Sequence, residues 1–130
     1  MGSGNDYAYA LAIQSDGKIV VAGGANTGSN NDFAVIRYNA DGTLDTAFGS
    51  GGKATKAVGT GEDNVFGVAL QADGKIVVAG SAAIGDYTDF ALARYDANGS
   101  LDASFGANGT VTTAVGPQAD VGYGLAIQAD

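Results

Sequence analysis

The sequence predicts an all-β fold of short antiparallel strands gathered into repeated four-stranded sheets, and three observations predict it. The first is an internal repeat. Gln14-Ser15-Asp16-Gly17-Lys18-Ile19-Val20-Val21-Ala22-Gly23 returns as Gln71-Ala72-Asp73-Gly74-Lys75-Ile76-Val77-Val78-Ala79-Gly80, a shift of 57, and residues 6–62 match 63–119 at 29 of 57 positions. The second is the texture of each unit, whose short β-branched or aromatic runs are bounded by Gly, Asp and Asn, the punctuation of strands and turns. The third is the run Ile-Val-Val-Ala, apolar at consecutive positions, so both faces of that strand require cover. A lone meander covers only one. Self-similarity at this period signals units that stack on one another to complete their cores.

Taken in chain order, Met1-Gly2-Ser3-Gly4 reads as a cloning remnant, without the charged and apolar regions of a signal peptide. One unit then spans 5–61, a second spans 62–118, and 119–130 opens a third. The first strand falls near 7–14 and recurs at 64–71 and 121–128; the same shift takes Asp6 to Asp63 to Asp120 and Tyr9 to Phe66 to Tyr123. The second strand is 18–23 and 75–80. Asp16-Gly17 and Asp73-Gly74 join the first two strands, and Asp-Gly readily supplies the positive φ angles of a tight hairpin, so these strands pair antiparallel. The third strand is 32–39 and 89–96, and the fourth is 53–58 and 110–115. Small residues such as Ala8, Ala10, Ala12, Ala22 and Gly23 suit crowded positions near an axis. Four-stranded sheets packed face to face around an axis form a β-propeller.

The chain resembles the delta-60 repeat β-propellers. The resemblance lies in Ala69-Leu70-Gln71-Ala72-Asp73-Gly74-Lys75-Ile76-Val77-Val78-Ala79-Gly80, in Asp89-Phe90-Ala91-Leu92-Ala93-Arg94-Tyr95-Asp96-Ala97-Asn98-Gly99-Ser100-Leu101-Asp102 and in Ser104-Phe105-Gly106, with the pattern repeated at 37–45 and 48–49. It implies a four-stranded blade with the first strand at the axis and the fourth outermost, usually in large bacterial secreted or surface proteins without an established catalytic activity. Propellers have about four to eight blades. Two blades plus one extra inner strand cannot close a ring, so closure is expected through homo-oligomers: a trimer gives six blades and a tetramer eight, arranged head to tail, with a fibre as the open alternative. The extra strand competes with a neighbouring chain's first strand for one place, which strand exchange would resolve. The other reading of the extra strand is truncation of a longer array.

Composition removes much of the catalytic repertoire. With no Cys and no His, there is no thiolate nucleophile, cysteine metal site, neutral-pH base or usual zinc ligand. A net charge of -8 repels phosphate backbones and anionic lipid headgroups, so neither nucleic acid nor a membrane is an expected partner. No apolar run approaches the length of a membrane helix. Paired carboxylates remain a formal route to acid–base chemistry, but nothing marks one pair among fourteen acidic residues, and the chain is expected not to be an enzyme.

Residues repeated at the 57 shift are expected to serve every blade. Asp16 and Asp73 belong to turns, and Phe33, Phe90, Phe48 and Phe105 are core anchors. Arg37 and Arg94 lie within strands, where an unpaired buried charge is costly, so each is expected to pair with a carboxylate such as Asp45 or Asp102; the other reading is a guanidinium exposed for anions. The loops Asn39-Ala40-Asp41-Gly42-Thr43-Leu44-Asp45 and Asp96-Ala97-Asn98-Gly99-Ser100-Leu101-Asp102 resemble part of a calcium loop, with Asn39, Asp41, Asp45, Asp96, Asn98 and Asp102 as candidate ligands. Arg37 and Arg94 stand where such a loop begins with Asp, and the simpler expectation is an Asx turn without a cofactor. Residues that differ between units carry any binding function. The second-to-third connections, 24–31 and 81–88, present Asn30 and Asn31 in one blade and Ile84 and Tyr87 in the other, as candidate contacts for a carbohydrate or protein ligand.

Overall fold

The computed structural model describes residues 4–129. Met1, Gly2 and Ser3 of the expected cloning remnant, and Asp130, lie outside the described residues. Eight strands follow one another: β1 (Asp6–Ile13), β2 (Ile19–Asn26), β3 (Asn31–Tyr38), β4 (Lys53–Lys56), β5 (Asn64–Leu70), β6 (Ile76–Ile84), β7 (Tyr87–Tyr95) and β8 (Thr110–Thr113). They form two four-stranded antiparallel meanders, β1-β2-β3-β4 and β5-β6-β7-β8. The all-β expectation of two four-stranded blades therefore holds.

Inside each blade the turns differ in detail from the sequence expectation. Asp16-Gly17 does not form a two-residue hairpin. The Gly17 amide donates to Gln14 O at 2.9 Å and the Gln14 amide to Lys18 O at 2.8 Å, while Asp16 Oδ1 accepts from the Lys18 amide at 3.1 Å. Gly17 alone of the dipeptide takes positive φ, 84°, the geometry of a turn closed by a left-handed residue. The copy at 71–75 repeats it. The second-to-third connections are shorter than expected, because the ladder continues through Asn26↔Asn31 and Ile84↔Tyr87. Residues 27–30 turn one blade and Gly85-Asp86 the other, with Gly85 at φ 64°. The third strand stops at Tyr38 and Tyr95, where the Asn39 and Asp96 amides turn inward to Thr43 O and Ser100 O. The fourth strands end at Lys56 and Thr113, short of the expected 58 and 115. Residues 121–128 are not a strand: they have no ladder among the described residues, although they run close against β5 at Gly67.

Each first strand carries a bulge, between Ala8 and Ala10 in β1 and between Val65 and Gly67 in β5. The extra residue is Tyr9 or Phe66, and a bulge re-aims the side chain it carries. Tyr9 and Phe66 meet with ring centroids 5.1 Å apart, and Phe66 meets Tyr123 at 5.2 Å. One aromatic per unit thus forms a continuous row.

The core lies between the blades. Val20, Ala22, Phe33, Val35 and Phe48 of one sheet and Val65, Ile76, Val78, Ala91, Ala93 and Tyr95 of the other form one buried cluster. Pairing of Val20 with Arg37, Ala22 with Val35 and Gly24 with Phe33 puts those residues on one face of the first sheet, and pairing of Ile76 with Tyr95 and Val78 with Ala93 builds the opposing face of the second. Polar groups tie the edges of this joint. Arg37 Nη1 donates to Ala97 O at 2.6 Å, the Gly49 amide to Asn98 O at 2.7 Å and the Asp63 amide to Asn31 O at 2.8 Å.

Gly99 closes the joint from above. A Cβ there would sit 2.6 Å from the Gly49 amide nitrogen and 3.0 Å from the Phe48 ring, whereas its copy Gly42, with nearly the same φ (84° against 88°), faces open space. Replacement by Ala strains both backbones by about 1–2 kcal/mol. Gly99→Ala adds an overpacking cost of roughly 1–3 kcal/mol. Urea denaturation is expected to show the larger loss for Gly99→Ala than for Gly42→Ala.

Candidate functional site

The joint between the two blades recurs as two halves at the outer surfaces, neither with a second sheet against it among the described residues, and the one on the second sheet partly covered by residues 120–125. The outer face of the second sheet carries Val77, Ala79, Phe90, Leu92 and Arg94, the 57-shift copies of Val20, Ala22, Phe33, Val35 and Arg37 on the buried face of the first. Phe33 is 0% exposed and Phe90 40%. The outer face of the first sheet carries Leu11, Ile13, Ile19, Val21, Ile36 and Tyr38, copies of Val68, Leu70, Ile76, Val78, Ala93 and Tyr95 in the joint. Leu11 and Ile13 are 64% and 65% exposed. One outer face is thus built like one side of the buried joint, and the other like the opposite side. Covering the rest of Phe90 alone contributes on the order of 1 kcal/mol.

An apolar cavity of about 270 Å³ lies on the outer face of the second sheet, lined by Ala79, Phe90, Leu92, Val111, Gly122 and Leu125 among others. Residues 120–125 form its rim. The Asp120 amide donates to Thr88 O at 2.6 Å, and Asp120 Oδ2 accepts the Val115 and Gly116 amides at 2.7 and 3.0 Å. Its copy Asp63 is fully buried in the joint and holds three amides, Val58 and Gly59 at 2.8 Å on Oδ2 and Ala83 at 3.0 Å on Oδ1. The sequence displayed this residue as Asp6, Asp63 and Asp120 at one spacing, but spacing alone does not show that it clamps the crossover from one blade to the next. The aromatic row was equally visible as a repeat and equally silent about its bulge.

The ion pairs are largely withdrawn from solvent, with Arg37, Asp45 and Asp102 buried. Asp45 Oδ2 meets Arg37 Nε and Lys18 Nζ, both at 2.7 Å, and the Arg37 guanidinium lies 4.6 Å from the Phe48 ring centroid. The second blade repeats this with Arg94 Nε on Asp102 at 2.7 Å, Lys75 on Asp102 at 3.1 Å and Arg94 4.6 Å above Phe105. Cation–π contact and carboxylate together orient each guanidinium. Lys75 also reaches Asp96 at 2.5 Å.

The residues considered as calcium ligands do not converge. Asp41 Oδ1 accepts from the Thr43 amide and Asn98 Oδ1 from the Ser100 amide, which are Asx-turn bonds, while the Thr43 hydroxyl donates to Asp41 Oδ1 and Asn39 Nδ2 donates to Thr43 Oγ1. Asp45 and Asp102 face cations. Among the described residues no three acidic side chains group around a point where a metal could sit. The loop candidates divide as well. Ile84 and Tyr87 face each other across the tight hairpin and are 38% and 54% exposed. Asn30 is turned toward the joint, its Nδ2 on Gly61 O, and the Asn31 amide donates to Glu62 Oε2 at 3.1 Å.

The Lys18 and Arg37 bonds hold the Asp45 carboxyl below the usual carboxylate range, and the Ser104 hydroxyl, then Lys75 and Arg94, hold Asp102 lower still. A carboxyl depressed in the folded state stabilises above its unfolded pKa of about 4, and that stability is lost as pH falls below it. Burial pushes Asp63 the other way, so its contribution declines as pH rises past the same value. Urea midpoints are expected to fall below about pH 4, and Asp102→Asn is expected to be destabilised at neutral pH with a shallower acid decline. Asp63→Ala leaves three amides without their acceptor, and its expected loss is at least about 3 kcal/mol.

A search of curated proteins finds no match for this chain. The family described as "Domain of unknown function (DUF5122) beta-propeller" matches residues 14–48 and 71–105, one stretch in each blade and together more than half of the chain. Those stretches run from the first turn of each blade through the central strands to Phe48 and Phe105, and they include most of the buried cluster between the blades, Phe48 among it. The chain therefore belongs to the DUF5122 β-propeller family.

Proposed function

We propose that this chain is a non-catalytic structural module that assembles with copies of itself, head to tail, into a β-propeller. The observation that supports the reading is the equivalence of the two outer faces to the two sides of the buried joint. Phe90, Leu92 and Arg94 stand ready for the surface that Ile13, Ile19, Val21 and Tyr38 present. Polar positions repeat in step: Arg94 has the place of Arg37, which reaches across the joint to Ala97 O, and Ala40 is the copy of Ala97. Gly42 has open space where Gly99 meets Phe48, and Phe105 is the ring that would fill it. The faces are different surfaces, so the contact is heterologous and closes only when the rotation per copy divides a full turn. Three copies give six blades and four give eight, within the range of propellers. The delta-60 likeness of the blade motifs supports the same structural role.

Light scattering on this chain is expected to show a discrete trimer or tetramer over a wide concentration range. A monomer at every concentration overturns the proposal, and growth with concentration replaces the ring with a fibre built from the same contact. A charge on one face blocks one end only. Leu92→Glu and Ile36→Glu are each expected to remain monomeric alone, and their mixture to stop at a dimer through the one intact pair of faces. Equal inactivity of the mixture contradicts a head-to-tail contact.

A further inference from the structure

Resting on that head-to-tail reading, we propose that the joint between copies is made by strand exchange: residues 120–127 of one copy take the place of β1 on β2 of the next copy, with Asp120 replacing Asp6. The internal joint supplies the standard. There, a single carboxylate, Asp63, gathers two amides from the chain leaving one blade, Val58 and Gly59, and one amide from the second strand of the following blade, Ala83. The backbone amide of Asp63 is fixed to Asn31 O, at the start of the preceding blade's third strand.

The outer ends hold this constellation in two parts. Asp120 has the departing-chain part, with the Val115 and Gly116 amides on Oδ2 and its own amide on Thr88 O. The donor corresponding to Ala83 belongs to the blade that would follow. In a first blade that donor is Asn26, whose amide lies 3.2 Å from Asp6 Oδ1. A copy docked on the outer face of the second sheet brings its Asn26 toward Asp120 and its β1 toward the seat that residues 120–127 already occupy. Two segments meet one position. Residues 120–127 are covalently continuous with β8, stack Tyr123 on Phe66 and pass close to Gly67. Keeping β1 in place would require them to leave that seat and the Thr88 bond. Exchange keeps both and gives Asp120 the third amide, so the joint between copies repeats the internal one bond for bond.

The register follows from the repeat. β1 places Leu11 opposite Val21 and Ile13 opposite Ile19; two shifts of 57 place Leu125 and Ile127 there instead. The liberated β1 leaves the sheet. Its Tyr7, Tyr9 and Leu11 are already substantially exposed, and they become accessible to protease in the assembly.

Because the chain contains no Cys, introduced pairs report pairing without background. At concentrations where light scattering shows assembly, Leu125→Cys with Val21→Cys is expected to give disulfide-linked dimers and higher ladders on a non-reducing gel, while Leu11→Cys with Val21→Cys stays largely uncrosslinked. Assembly with the reverse pattern, an intrachain bond in the second variant and no ladder in the first, overturns exchange and leaves head-to-tail docking standing. A wild-type chain that never assembles removes both. Chymotrypsin on the unmodified chain is a second readout: cleavage within 6–13 that leaves the assembly intact supports exchange, and protection of that segment in the assembly overturns it. Asp120→Ala is expected to raise the concentration needed for assembly at least tenfold while the urea midpoint of the monomer changes little; unchanged assembly speaks against the Asp120 clamp.

Discussion

A central strand with apolar side chains on both faces cannot be satisfied by the sheet that contains it. Val20 and Ala22 point one way from β2 and Ile19 and Val21 the other, and β6 repeats the arrangement. A meander of four strands supplies backbone partners within its own plane and nothing above or below. The cover has to come from another blade, and the buried cluster shared by the two sheets is that cover. The rest of the molecule follows from this need: short crossovers that carry the chain from one sheet to the next, a buried aspartate that holds the crossover, and glycines where neighbouring turns come too close for a side chain.

The polar contacts at the joint add direction to an attraction that has none. Apolar burial is indifferent to which way a sheet faces. The Arg37 bond to Ala97 O, the Gly49 bond to Asn98 O and the Asp63 bonds each require a particular blade order and offset. Buried polar groups left without partners are expensive, so a slipped or inverted stacking would lose much of what the apolar contact gains. The ion-paired residues likewise fix geometry, since Arg37 and Arg94 are each pinned between a carboxylate and an aromatic ring.

Much of this could be read in the sequence because a repeat exposes its own period. The two blades and the order of their strands follow from apolar runs and turn residues; of the four Phe expected as core anchors, Phe33 and Phe48 are buried, whereas Phe90 is 40% exposed because it lies on the outer face of the second sheet. What the sequence concealed has local causes. Hairpins at 24–31 look like loops by composition, yet ladder pairing depends on backbone groups and continues through polar Asn26 and Asn31. Asp16-Gly17 has the composition of a two-residue turn, but only Gly17 adopts the left-handed conformation. A bulge adds one residue to an alternating pattern already made of Ala and Tyr, so nothing in β1 marks Tyr9 as the residue set apart. Asp63 differs from any other acidic residue only through the three amides that the folded chain brings to it.

The bulge also sets a condition on which strands can share a sheet. Opposite it, Gly23 and Gly80 lie so near the carbonyls of Tyr7 and Asn64 that a Cβ would overlap them. A regular strand laid beside β2 or β6 would lack the widened loop of backbone that faces this glycine, and sliding by two residues would carry the loop away from it. Glycine and bulge therefore act as a keyed pair, a mechanical gauge that accepts one kind of segment in one alignment. In a molecule made of repeated parts, where almost any strand offers a similar ladder of hydrogen bonds, such a gauge separates the right part in the right place from the many that nearly fit.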